Sequence, residues 1–267
     1  MPVDIASGRV GVTWDPEDGA RITSLRLDGH EVLAAVEVPD TPAFWTHGLF
    51  AMAPYAGRVY GGVLHDQGEE IRLTGPGTEG HVMHGVTSDR AWTQVDQLTA
   101  RIDLDDRWPF GGWAEQRLLL TDDAVTITLT VGNDHRAMPA WLGFHPWFRR
   151  DLGTGGPLEI TTGLGSMYEK DADGRLTGRT VDVPPGPHDD SFLAPEMPMR
   201  LEWPGALTVH LSSETGGVAT QDVVVFDERP EAICVEPQTA PPQADRLGRA
   251  QRVGPVAPLQ LTLRLGL

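Results

Sequence analysis

Apolar and polar residues alternate with a period of two along much of this chain. In VTITLTV, residues 125–131, Val125, Ile127, Leu129 and Val131 share one face while three threonines take the other. Successive strand side chains point to opposite faces, so this spacing predicts a strand with one buried side. LQLTLRL (259–265) repeats the device, with Gln260, Thr262 and Arg264 outward. Shorter runs follow the same rule at RITSLRL (21–27), LTVHL (207–211) and DVVVF (222–226). Between them stand DPEDG, RLDGH, TGPG, LTDD, DADG and PPGP, whose glycines, prolines and aspartates supply turn geometry. A short helix is conceivable only over QADRLGRAQRV (243–253), where Gly248 weakens it. Many short strands separated by turns predict an all-β sandwich or barrel.

No linker-like stretch divides the 267 residues, and β-rich folds of this length often stay undivided, so one domain over 1–267 is expected. DLGTGGP (151–157) is expected to be a loop. The 31 glycines and 22 prolines have no period, which excludes collagen and repeat arrays. Charge narrows the partners. Asp plus Glu number 38 against 21 Lys plus Arg, a net −17. Such a field repels a phosphate backbone or an anionic bilayer, so neither nucleic acid nor membrane is an expected partner. Cys234 is the single cysteine; it has no intrachain partner for a disulfide and is expected to be a buried small hydrophobe. MPVDIASGRV lacks a basic-then-apolar leader and no run of 18 apolar residues occurs, so a cytoplasmic location is the expectation.

Five stretches carry candidate chemistry. In GFHPW, Pro146 removes a backbone donor and restricts His145 to extended geometry, which predicts a strand end with the ring facing an opening. Trp147 and Phe148 beside it suit the C–H face of a sugar ring. Taken alone, a core histidine bonded to backbone is the simpler account of His145. In AICVEPQTA, Glu236 follows an apolar run, where a carboxylate is costly unless it is paired or is a general base aimed at a substrate hydroxyl. In HVMHGV, His81 and His84 are three apart, so on a strand they face opposite ways and are poorly placed to share a metal. In APYAGRVYGG, Arg58 stands between glycines and can donate two hydrogen bonds to paired sugar oxygens or pair with a surface acid. In PHDDSF, Asp189 and Asp190 follow a Pro-rich loop and suit either a turn or a pocket rim.

In order and together, these stretches resemble the aldose 1-epimerase (galactose mutarotase) family: PYAGRV near 55, MHGV near 84, LGFHPWF near 145, HDDSF near 190 and CVEPQT near 236. The resemblance implies a large antiparallel β-sandwich, the galactose mutarotase-like supersandwich, with few short helices and an open sugar-binding face. It implies interconversion of the α and β anomers of an aldohexose without cofactor or metal. Matched by position, Glu236 stands for the family's base, His145 for its general acid and His84 for its second histidine. Arg58 stands for the substrate-binding arginine, and Asp189, three residues before Phe192, for the aspartate that holds sugar hydroxyls; Trp147 is the expected apolar wall.

The chain also departs from the family. Gly57 replaces the asparagine that often precedes the arginine, and Gly85 is single where a glycine pair is usual. HGVTSDRAW also resembles the branch acting on hexose 6-phosphates, for which Arg90, Arg149 and Arg150 would meet the phosphate, although the net charge argues against an anionic substrate. Three alternatives to a neutral-sugar epimerase therefore stand: a hexose-6-phosphate 1-epimerase, a non-catalytic carbohydrate-binding protein of the same fold, and a metal-dependent enzyme using His84, His145 and Glu236 as ligands. A small-molecule sugar is the expected partner; monomer and homodimer both remain open.

Overall fold

The alternating runs become strands. In the computed structural model, which describes residues 1–267, VTITLTV lies in Ala124–Gly132 and LQLTLRL in Leu259–Gly266. These two pair antiparallel from Ala124↔Gly266 to Val131↔Leu259, with their apolar positions inward. Around them grows a 9-stranded sheet, and an 11-stranded sheet faces it. All ladders between the named strands of both sheets are antiparallel. One cluster of 63 buried residues draws on the inner faces of both. Helix is confined to two three-residue 3-10 turns, Ala43–Trp45 and Tyr60–Gly62, and no helix is long and apolar enough to cross a membrane.

The larger sheet positions the site. Its middle runs Leu49–Met52, Gly143–Arg149, Ala232–Gln238, Asp222–Phe226 and Asp189–Leu193. Ala232–Gln238 and nearly all of Gly143–Arg149 are buried on both faces. By alternation Phe144, Phe148, Ile233 and Val235 share the side turned to the core, while His145, Trp147, Cys234 and Glu236 share the other. A buried polar pair on a central strand therefore needs cover from above, which loops supply.

Two expectations are corrected here. Pro146 does not end the strand, which continues to Arg149. The ladder with Ala232–Gln238 is formed at Gly143↔Gln238, breaks, and resumes at Trp147↔Cys234. Pro146 and Pro237 both lie in the break, where neither is asked for the N–H it lacks. Residues 243–253 form no helix. Gln243 at φ 64° and Gly248 at φ 66° are left-handed, which limits the segment to turns before Gln251–Val253 pairs with Met138–Ala140. DLGTGGP is the loop expected of it.

Candidate active site

Strand register assembles the site as rows of side chains running across the sheet. Gly143↔Gln238 and Trp147↔Cys234 bracket His145 opposite Glu236. His145 pairs on its other side with Phe50, and Glu236 with Val224, which pairs with Ser191. One central row therefore reads Phe50, His145, Glu236, Val224, Ser191. The next row toward the C-terminal end of the histidine strand reads Trp147, Cys234, Phe226, Asp189. The row on the other side reads Met52, Gly143, Gln238, Asp222, Leu193. Opposed residues in an antiparallel pair have Cβ atoms about 5 Å apart, so residues ninety positions apart in sequence become immediate neighbours.

A cavity of about 680 Å³ lies over these rows, within the range of small-molecule sites. Its wall includes Arg58, His84, His145, Trp147, Asp189 and Glu236. His145 Nε2 lies 3.3 Å from Glu236 Oε1, both side chains being almost wholly buried. The imidazole is stacked between Phe50, at 4.7 Å between centroids, and Trp147, at 5.3 Å. The Trp147 ring is itself fixed by Nε1 donating to Trp45 O at 2.7 Å. His84 meets His145 edge-on at 5.3 Å, and its Nδ1 lies 2.8 Å from Met52 Sδ.

Burial dominates the electrostatics. It pushes Glu236 well above the usual carboxylate range, and the Asp189 charge pushes the same way. It drops His145 well below the ordinary histidine value, with His84 adding to the shift. His84 falls to about 3, again chiefly by burial and then by the Arg58 cation. The pocket thus disfavours an isolated charge on any of the three. A contact pair that shares one proton between Nε2 and Oε1 keeps net charge zero, whichever atom holds it.

The sequence model of the aldose 1-epimerase family matches residues 16–244. The chain belongs to the aldose 1-epimerase family. The fold agrees with that of solved structures at low identity. A putative aldose 1-epimerase from Escherichia coli K12 superposes with a TM-score of 0.78 at 16% identity, covering 100% of this chain and 98% of that one. The Slr1438 protein from Synechocystis gives 0.77 at 18%, with 100% and 95% covered. A GalM/aldose epimerase homologue from C. elegans gives 0.73 at 16%, with 100% and 98% covered. No curated protein matches the chain.

Within this aldose 1-epimerase-family chain, six of the residues singled out from sequence, Arg58, His84, His145, Trp147, Asp189 and Glu236, line one cavity. Arg58 makes no ion pair, and its buried Nε has no partner, so it is not spent on a surface acid. Asp189 stands exposed at the rim, whereas Asp190 binds Lys170 at 2.7 Å and His188 at 3.4 Å. His81 is outside, accepting from Gly61 N. The arginines expected to meet a phosphate are also outside the wall. Arg90 binds Asp105 and Asp103 O, Arg150 donates to Asp227 O and Arg229 O, and Arg149 is exposed at a strand end.

Metal donors also gather here, but in a different set from the one anticipated. His145, Cys234 and Glu236 offer ligand atoms within 4.8 Å of one another, while His84 is turned to Met52. Burial raises both the Cys234 thiol and the Glu236 carboxyl, favouring the protonated forms that ligate poorly.

Three participants had no signal that pattern alone resolves. Phe50 stacks on His145, and Arg21 lies fully buried behind it, 5.1 Å from the Phe50 ring. Arg21 donates to Phe44 O, His47 O and Ser88 O; a bulge in the ladder of its strand takes it out of phase with the inward Ile22, Leu25 and Leu27, so alternation leaves no trace of it. Gln238 is the third, fully buried two residues beyond Glu236.

Proposed function

We propose that the protein interconverts the α and β anomers of a neutral aldopyranose by paired proton transfer. One observation carries the reading: a carboxyl and an imidazole in contact at 3.3 Å within a sugar-sized cavity. Opening a hemiacetal ring requires a proton taken from the C1 hydroxyl and one given to the ring oxygen. Glu236 as carboxylate accepts the first, and His145 as imidazolium donates the second, as the C1–O5 bond breaks and C1=O1 forms. The pair is left as a neutral acid and a neutral imidazole, the form that burial favours in both groups. A desolvated pocket therefore stabilises the pair in the state it holds while the ring is open. Rotation about C1–C2 and reversal of both transfers close the ring on the other anomer. Each positioned group contributes roughly 10²–10⁴-fold.

The surrounding residues bind. His84, neutral because of its burial, offers a hydrogen bond without a competing proton, Arg58 an uncommitted cation, and Asp189 an acceptor at the rim. Trp147 gives an apolar face to ring C–H groups. A binding module would have no use for an acid and a base in contact, since affinity alone does not require a proton relay.

Glu236→Gln is expected to abolish anomer exchange of freshly dissolved α-D-glucose or α-D-galactose, followed by polarimetry, with the fold retained. His145→Asn is expected to cost at least about a hundredfold, the low end of general-acid effects. Undiminished exchange in the glutamine variant removes Glu236 as base, and a loss below about threefold makes His145 a packing residue.

A further inference from the structure

The row through Gly143 and Gln238 contains a poorly satisfied amide. Gln238 is fully buried, and neither its Nε2 nor its Oε1 makes a hydrogen bond of good geometry; its polar contact is with the Glu236 carboxyl, which it stabilises only weakly as an anion. Its cross-strand neighbours explain why. Gly143 on one side has no side chain. Asp222 on the other is committed to Arg249 Nη2 at 2.7 Å and to the Tyr168 hydroxyl at 2.7 Å.

A second amide stands in the same cavity wall. Gln243 is 3% exposed, its Oε1 has no partner, and its backbone is left-handed at φ 64°. Strained backbone of this kind in a non-glycine residue tends to cluster at ligand clamps. Its placement depends on Gly57, where an added Cβ would lie 2.8 Å from the Pro242 Cβ. The missing side chain lets Pro242 and Gln243 close in beside Arg58, whose Nε is also unpartnered.

In the cavity wall the unpartnered atoms are the donors Gln238 Nε2, Arg58 Nε and Arg229 Nε, the ring nitrogen His145 Nδ1, and two acceptors, Gln238 Oε1 and Gln243 Oε1. Buried polar groups without partners are unfavourable, and such groups call for an explanation such as an absent ligand. An anion accepts only and leaves the two carbonyl oxygens unmatched and repelled. A hydroxyl both donates and accepts. Gln238 also lies on the Glu236 side of the strand, two residues on and so about 6.6 Å away along it, a distance comparable with the width of a pyranose from its C1 oxygen.

We propose that Gln238 and Gln243 form a hydroxyl-reading subsite for the part of a neutral pyranose remote from C1, which rests on the reading of this cavity as an aldose site. The test measures equilibrium affinity by tryptophan fluorescence or saturation-transfer NMR for wild type, Gln238→Met and Gln243→Met. The ligands are glucose, galactose and their 3-, 4- and 6-deoxy analogues, and unliganded melting temperatures are recorded alongside. Each variant is expected to bind the parent sugar roughly tenfold more weakly, the upper end for one neutral hydrogen bond. One deoxy sugar is expected to bind wild type and variant alike, which identifies the hydroxyl being read. Melting is expected to stay level or rise, because methionine removes the unpartnered atoms while keeping the volume. Unchanged affinity for every sugar overturns the proposal, as does an equal loss across all the deoxy sugars with lowered melting, which marks a packing role. Anomer exchange is measured separately. Sugar binding with this pattern but no exchange would sink the epimerase reading and leave the subsite standing, whereas a wild type that binds no sugar removes both.

Discussion

His84 sits on left-handed backbone at φ 56°, its ring edge-on to Trp45, Phe50 and His145. The sulfur opposite Nδ1 is a weak acceptor, which assigns the proton to Nδ1 and leaves Nε2 to accept. Burial lowers this histidine to about 3, and the sign of the stability effect follows. Between pH 6.5 and about 3 the unfolded chain takes up a proton that the folded ring refuses, so stability falls as pH falls through that window. The cost reaches about 1.4 kcal/mol per pH unit from this residue. His84→Asn, which tolerates left-handed backbone, is expected to flatten the loss of melting temperature between pH 7 and pH 5. Parallel slopes in wild type and variant would show that His84 titrates normally.

At the scale of elements, the site depends on how segments approach one another. Gly57 at φ 68° precedes Arg58, and the Pro242 ring fills the space a side chain would take. Gly57→Asn restores the residue usual in the family, yet its Cβ would fall 2.8 Å from Pro242 Cβ and 2.9 Å from Cγ. The expected cost is about 1–3 kcal/mol, typical of overpacking. Adding Pro242→Gly is expected to recover part of it, and a double-mutant cycle on thermal melts measures the coupling. Purely additive effects would mean that the two segments do not constrain each other. The same scale shows what pattern can reveal. The runs at 125–131, 259–265 and 222–226 were legible as strands because alternation is local, and the same alternation puts His145 and Glu236 on the faces turned away from the core. Register was not legible: nothing near residue 145 specifies residue 236 as its cross-strand neighbour, because that pairing is set by the long-range ladder. Pro146 suggested a strand end because its missing donor normally excludes it from a central strand, and only Pro237 in the opposite gap resolves the conflict. Arg21 was hidden for a related reason, since the carbonyls that satisfy it come from residues 44, 47 and 88.

For the whole molecule, the net charge of −17 acts on whatever approaches the cavity. The wall repeats the imbalance locally, with Asp40, Glu79, Asp189 and Glu228 against Arg58, Lys170 and Arg229, and Lys170 is already paired with Asp190. A neutral sugar feels little of this field, whereas a sugar phosphate is repelled by it at long range. The screening length shrinks from about 30 Å at 0.01 M salt to about 8 Å at 0.15 M. If the substrate is neutral, kcat/KM for the free aldose stays level across that range, measured by anomeric exchange NMR. For the 6-phosphate it starts lower and rises with salt, because screening removes a repulsion without creating an attraction. A 6-phosphate turned over faster than the free sugar, and slowed by salt, would mean that Arg58 and Arg229 outweigh the net field at the cavity mouth, and the neutral-substrate reading would then give way to the phosphorylated one.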